Sequence, residues 1–344
     1  MKLKKRMRLI LLGISLVLAG VLLARALQPT PAAQLVEANN KIAQVSESKI
    51  DGPILPLPLS LDLDSEKVAL GQQLFHDPGL SSSGDMSCAS CHRIAQGGDD
   101  GLPQSIGNKG TALAFNAPTV FNSGFNFRQF WDGRASTLEA QVDTPILEPD
   151  EMNQSWAEVV AYLKRDRDYV SRFHKVYRDA PTPDAVRDAI ATFERSLITP
   201  NARFDQYLRG NETALSNSEK EGYARFQDYG CVACHQGVNL GGNLYQRLGV
   251  VRDFFSTRNI VTEADQGRLN ITGRVRDRYL FKVPTLRNIE LTAPYLHDGS
   301  IQTLAEIVQL MGTYQLGREI PPKDIELIVQ FLKTLTGEQP TSHE

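Results

Sequence analysis

The chain has 344 residues, enough for two domains, and carries a formal charge of -3 with 22% charged residues. That balance gives no reason to expect nucleic acid, and no long acidic or basic block marks an interaction tail.

At the N-terminus, Lys2, Lys4, Lys5, Arg6 and Arg8 precede an uncharged apolar run over residues 9–24, and Ala24-Arg25-Ala26 has the small-x-small pattern of a processing site. This is the layout of an export signal. The run falls short of the about 20 apolar residues that usually cross a bilayer. A cleaved signal over residues 1–26 is therefore the first reading, and an uncleaved inner-membrane anchor through residues 9–24 the second. Both place the remainder in the periplasm.

Residues 27–60 carry Pro53, Pro56 and Pro58 and little periodicity, so they read as a surface arm. Ser65 to Phe75 has helical periodicity and runs into a glycine and serine loop before Cys88-Ala-Ser-Cys91-His92. Further on, Ser155 and Glu158 cap a helix to about Lys164, and Thr182 with Pro183 opens another through Ser196. The composition changes around Pro200 to Arg209, the best boundary. Ser218 and Glu221 then form a capping box before Tyr223, Ala224 and Phe226, and the helix leads to Gly230 and Cys231-Val-Ala-Cys234-His235. One helix plus one cysteine motif is thus used twice. Gly237 to Gly249 reads as loop, Thr303 and Glu306 begin a helix containing Leu304, Ile307, Val308 and Met311, and Asp324 to Leu335 forms a last amphipathic helix. The expected organisation is an N-terminal haem domain over 61–203, a C-terminal one over 204–335, and a tail over 336–344. The expected class is mainly α, two cytochrome c-like haem domains packed against each other with few or no strands.

The haem assignment comes from the cysteines. An exported chain is free to form disulfides, but all four cysteines fall in two complete Cys-x-x-Cys-His signatures of c-type haem attachment. Two thiols three positions apart on a helical turn each close a thioether to the porphyrin edge, and the next residue, His92 or His235, is placed under the iron. Each motif is self-contained, which argues against a shared zinc site or a redox dithiol. What fills the sixth iron position separates electron transfer from catalysis. Met311 shares a helix face with Leu304 and Ile307, and by pattern alone it reads as a core methionine.

Several short strings stand in order around the two motifs: Asn116-Ala-Pro-Thr-Val-Phe-Asn122, Phe130-Trp-Asp-Gly-Arg-Ala135, Gln141, Glu151-Met152, Val283-Pro-Thr-Leu-Arg-Asn288 and Pro294-Tyr-Leu-His-Asp-Gly299. From about Asp64 to Leu335 the chain resembles the bacterial di-haem cytochrome c peroxidase family, which includes MauG-type enzymes. The resemblance implies a low-potential peroxidatic haem on Cys88, Cys91 and His92, and a high-potential electron-transfer haem on Cys231, Cys234 and His235 with Met311 as its axial ligand. It also implies that Trp131 couples the haems, that Gln141 and Glu151 line the peroxide pocket, and that calcium sits between the domains on Asn116, Thr292 and Pro294. Glu151 suits proton carriage on chemical grounds, because burial raises a carboxyl pKa toward neutrality.

Two positions depart from the family pattern. Asn108 stands where a histidine able to cap the peroxidatic iron is expected, so that site is expected to be open without prior reduction. Gly79 stands after Asp77-Pro78 where an arginine often follows. His76 and His174 show no pattern that would make either a replacement ligand. The leading function is reduction of hydrogen peroxide to water, with electrons from a small c-type cytochrome or a cupredoxin, in a chain the resemblance implies to be a homodimer. The alternatives are MauG-like oxidation of a protein substrate, against which Met311 argues because that type carries tyrosine there, and non-catalytic di-haem electron carriage.

Overall fold

The computed structural model describes residues 52–340. The export segment, the start of the arm and the last four residues lie outside that range. Among the described residues no helix is long and apolar enough to cross a membrane.

The fold is mainly helical and is organised as two packed lobes. The first contains α1 (Ser65–Phe75), the short α2 (Cys88–Cys91), α3 (Leu138–Leu147), α4 (Trp156–Arg165), α5 (Arg167–Tyr177) and α6 (Pro183–Ser196). Asp64 caps α1 by accepting from the amides of Glu66 and Lys67, and Thr182 caps α6 through the amide of Ala185, with Pro183 at the first helical position. Ser155 and Glu158 make the expected capping box at α4. Asp166 ends α4 and at once caps α5, so the two helices abut without a loop. Leu70, Leu74, Phe75, Phe121, Val142, Ile146, Val159, Leu163, Phe173, Val186 and Ile190 bury the inward faces in one core.

The second lobe contains α7 (Arg203–Leu208), α8 (Asn217–Asp228), a two-stranded antiparallel ribbon of β1 (Tyr245–Arg247) and β2 (Leu280–Lys282), α9 (Leu269–Thr272), α10 (Leu304–Leu310) and α11 (Pro322–Lys333). Its core joins Phe204, Phe226, Leu240, Tyr295, Val308, Ile328, Phe331 and Leu335. The capping box of α8 is Ser216 with Glu219, two positions before the expected pair. Both frames fit Ser-x-x-Glu; the buried Leu215 fixes the chain where it enters the helix, which puts Ser216 at the cap. At its C-terminal end α10 widens into a π turn over Met311–Gln315.

The arm is not all surface. Ile54 is 1% exposed and Leu57 0%, and Ile54 pairs with Gly237 just beyond the second cysteine motif. The prolines that break periodicity also hold the backbone extended. That leaves the Leu55 carbonyl and the Leu57 amide free to bond the buried Arg287 and Asp205.

The helix preceding each cysteine motif crosses the closing helix of its lobe in the same way. A Cβ added to Gly71 of α1 would stand 2.0 Å from the Ala189 carbonyl oxygen and 2.8 Å from Phe193 Cβ; on Gly222 of α8 it would stand 2.0 Å from the Leu327 carbonyl oxygen and 3.0 Å from Phe331 Cβ. Both closing helices therefore present a carbonyl and, four residues on, a phenylalanine to a glycine. The repeat seen in sequence extends to the partner helix.

Candidate active site

The first motif is a single helical turn, with Ser90 Oγ accepting from the Ser87 amide at 3.0 Å. The second is a tight turn entered through Gly230 at φ 87°. In each, the histidine ring is fixed from behind. His92 Nδ1–H donates to the Gly98 carbonyl at 3.2 Å and His235 Nδ1–H to the Leu240 carbonyl at 3.1 Å. Burial lowers the pKa of both, to about 4 for His235. A neutral ring with its proton on Nδ1 offers the Nε2 lone pair to a metal. Burial also pushes the thiols up, Cys88 to about 12 and Cys231 to about 11.

A cavity of about 340 Å³ is lined by Cys231, Cys234, His235, Trp131 and Met311, with Leu304, Ile307, Val308 and Leu332 supplying apolar wall. His235 and Met311 thus face one space, although 76 residues of sequence separate them. Trp131 is held in its wall, its Nε1–H donating to the Asn116 carbonyl at 3.0 Å and its own carbonyl accepting from the Lys282 amide at 2.7 Å. Asn116, Thr292 and Pro294 line the same cavity; Asn116 Nδ2 is engaged with the Leu102 carbonyl.

Around the first motif, burial raises the pKa of Glu151, opposed by the charge of Arg134, and the Glu151 carboxylate in turn raises both Cys88 and Cys91. Glu151 therefore lies on the side of the first motif. The Asn108 amide donates to the Glu151 carbonyl at 3.3 Å, which ties the loop carrying Asn108 to the turn carrying Glu151. Asn108 Oδ1 and Gln141 Oε1 are both buried without a hydrogen-bond partner. Unpartnered buried acceptors of this kind are rare in folded proteins and point to a ligand or water.

His76 caps the end of α1, exposed, with Nδ1–H on the Gln72 carbonyl at 2.9 Å, and His174 is exposed on α5. Gly79 is where it is for steric reasons: a Cβ there would stand 2.2 Å from Tyr162 Cζ, and Asp77 binds the hydroxyls of Tyr162 and Tyr169. The tyrosine ring fills the space that a side chain at position 79 would need.

Sequence reading missed His297. It is buried, its Nε2 lies 2.7 Å from Asp265 Oδ1, and its ring stacks on Phe281 at 4.5 Å. The only signal was its place in the Pro294–Gly299 string. Asp265, His297 and Asp298 bring ligand-competent atoms within 4.8 Å of one another. Arg258 reaches both carboxylates, at 3.3 and 2.6 Å, and supplies the positive charge there itself.

Residues 65–213 match the family model described as di-haem cytochrome c peroxidase. Cytochrome c551 peroxidase of Nitrosomonas europaea is 46% identical over 84% of this chain and 85% of its own length. This chain belongs to the di-haem cytochrome c peroxidase family. Cytochrome c peroxidase Ccp of Escherichia coli K12 is 48% identical over 83% of this chain, which spans 61% of that longer protein. A solved MauG-like protein, described as associated with microbial copper homeostasis, superposes with a TM-score of 0.73 at 29% identity, covering 83% of this chain and 94% of that one. Family membership implies two haem groups, and the donor set fits them: two thiol pairs on tight turns, two neutral imidazoles oriented by carbonyls, and an apolar cavity beside one of them.

Proposed function

We propose that this protein reduces hydrogen peroxide to water in the periplasm, taking two electrons, one at a time, from a small c-type cytochrome or a cupredoxin. When bound, the haems supply the iron that binds peroxide and the store of reducing equivalents. Cys88, Cys91 and His92 would hold the peroxidatic group over an N-terminal domain of residues 61–203. Cys231, Cys234, His235 and Met311 would hold the electron-transfer group over residues 204–335. The observation that carries this reading is that His235 and Met311 line one cavity; a thioether at that place closes the site to small ligands and favours the reduced state. It also weighs against MauG-like protein oxidation.

The protein's own work at the other site is proton handling and orientation. Reduction consumes two protons per peroxide, and Glu151, buried with a raised pKa, is suited to take a proton from one peroxide oxygen and return it to the other. Gln141 Oε1 and Asn108 Oδ1 are acceptors in want of a donor, and a peroxide O–H or a water supplies one. Trp131, in the wall of the cavity, would couple the two groups. A calcium ion on Asn116, Thr292 and Pro294 belongs to the same reading. In its favour are their shared cavity and the buried Asp99 beside them, whose Oδ1 has no partner and whose pKa burial and Asp100 raise to about 7; oxygen ligands of this kind suit calcium.

The test is the visible and electron-spin-resonance spectrum of the fully oxidised, haem-loaded protein. With Asn108 in place of the histidine, one high-spin iron is expected before any reductant is added, together with peroxide turnover that needs no reductive activation. N108H is expected to convert that signal to low-spin and to introduce a lag that pre-reduction abolishes. Two low-spin irons in the resting wild-type protein would sink the proposed division of labour.

A further inference from the structure

Among the described residues the two fully buried cations are Arg287 and Lys282. Arg287 meets Asp205 at 2.6 Å, and the half-buried Arg258 and Arg134 also meet carboxylates, Asp265 and Asp298 for the first and Asp132 at 2.8 Å for the second. Lys282 is the exception among the described residues. It is 6% exposed, and no hydrogen bond or ion pair reaches its ammonium group. Burial is the sole influence on its pKa, which it pulls down to about 8. A lone buried ammonium is strongly unfavourable. The chain places this one where it cannot retreat to solvent.

The placement is rigid. Lys282 pairs with Tyr245 across the ribbon, and its amide donates to the Trp131 carbonyl at 2.7 Å. Its neighbour Phe281 is stacked on His297. Lys282 lines the same cavity as Cys231, Cys234, His235 and Met311. Carboxylates in the surrounding segments are spoken for or unresponsive: Asp132 is taken by Arg134, Asp265 by His297, Thr262 and Arg258, and Asp99, on the cavity wall, shows no influence of a lysine charge. The missing anion must therefore come with whatever fills the cavity. Haem is an apolar plate whose peripheral anions are its two propionates.

We propose that Lys282 is the counter-ion of a propionate of the haem carried by Cys231 and Cys234, and that its positive charge helps hold that haem at high reduction potential. The inference rests on the di-haem reading above. A cation beside a redox centre favours the state with one more electron, and the propionate left without it would favour the opposite. Lys282 is thus a positioning and potential-setting residue and takes no part in the peroxide chemistry.

The test is a potentiometric titration of the haem-loaded protein followed in the visible region, on wild type, K282M, K282Q and K282R, with intact mass reporting attached haem. K282M is expected to lower the one-electron reduction equilibrium constant of the C-terminal haem about tenfold, which corresponds to about 59 mV, with a smaller change at the N-terminal haem. K282Q carries the same expectation should K282M fail to retain haem, and K282R is expected to stay near the wild-type potential. An unchanged C-terminal potential in a neutral variant carrying both haems would overturn the inference and leave the di-haem reading standing. So would a shift in K282R as large as in K282M, because packing and not charge would then be at work. A wild-type chain with no haem on Cys231 and Cys234 would remove both.

Discussion

Glu151 sits one turn past the end of α3, with its backbone carbonyl engaged by Asn108 and its carboxyl group near both thiols of the first motif. Burial lifts its pKa and Arg134 restrains the rise. Arg134 is itself placed, stacked 3.7 Å over the Phe130 ring and paired with Asp132. A residue that must first accept a proton has to be ionised at the start of the cycle, so kcat/KM is expected to fall as pH drops through the raised pKa. E151Q is expected to lower peroxide turnover by about 10²–10⁴-fold, the usual worth of a general acid and base, and to erase that acid limb while both haems stay attached. Steady-state assays across pH with reduced donor decide it; an E151Q enzyme with the wild-type profile would remove Glu151 from the proton path. Burial and neighbours of this sort were not legible from a lone glutamate in the sequence. The family pattern alone singled it out.

At the scale of elements, α1 and α6 were readable to the residue. Asp64 before α1 and Thr182-Pro183 before α6 leave little choice of where the backbone turns helical, and both spans match the expectation, Ser65–Phe75 and Pro183–Ser196. Helices without a clear break were lost: only Asp166 separates α5 from α4, and α3 carries Pro145 inside it, a residue that ordinarily argues against helix. The glycine crossings were also invisible in sequence, because nothing about Gly71 or Gly222 says which helix will lie on it. Their geometry makes a sharp expectation. G71A and G222A each press a methyl group onto a carbonyl oxygen 2.0 Å away, and overpacking of this kind costs about 1–3 kcal/mol. Denaturant midpoints of the haem-loaded variants measure it, and G222A is further expected to displace His235, with loss of the absorption signature of the thioether ligand proposed at Met311, whereas G71A leaves that signature intact. A neutral G222A would mean that α8 and α11 slide apart at no cost.

At the scale of the whole molecule, one buried ion pair binds segments that are far apart in the chain. Arg287 and Asp205 are both 0% exposed in their side chains. Arg287 Nη1 donates to Asp205 at 2.6 Å, Nη2 to the Leu55 carbonyl at 3.0 Å, and Nε to the Val238 carbonyl at 3.0 Å. The N-terminal arm, α7 and the loop that follows the second cysteine motif are thus fastened to one guanidinium. This explains why a proline-rich arm packs into the second lobe, which its composition did not suggest: the partners lie some 150 and 230 positions further along the chain. R287M leaves Asp205 buried and uncompensated and frees two carbonyls, so a loss of about 3–5 kcal/mol is expected. The double variant D205L/R287M removes both charges and is expected to recover part of that loss, though not all, because the Leu55 and Val238 carbonyls stay unpaired. Urea unfolding of wild type, R287M, D205L and the double variant closes the cycle. Val238 lies three residues from His235, so R287M is also expected to loosen the loop that orients the imidazole through the Leu240 carbonyl. A weaker absorption signature of the thioether ligand proposed at Met311 would report it. If R287M unfolds at the wild-type urea concentration, the pair is a bystander and the arm is held by the burial of Ile54 and Leu57 and by its backbone bonds to Gly237.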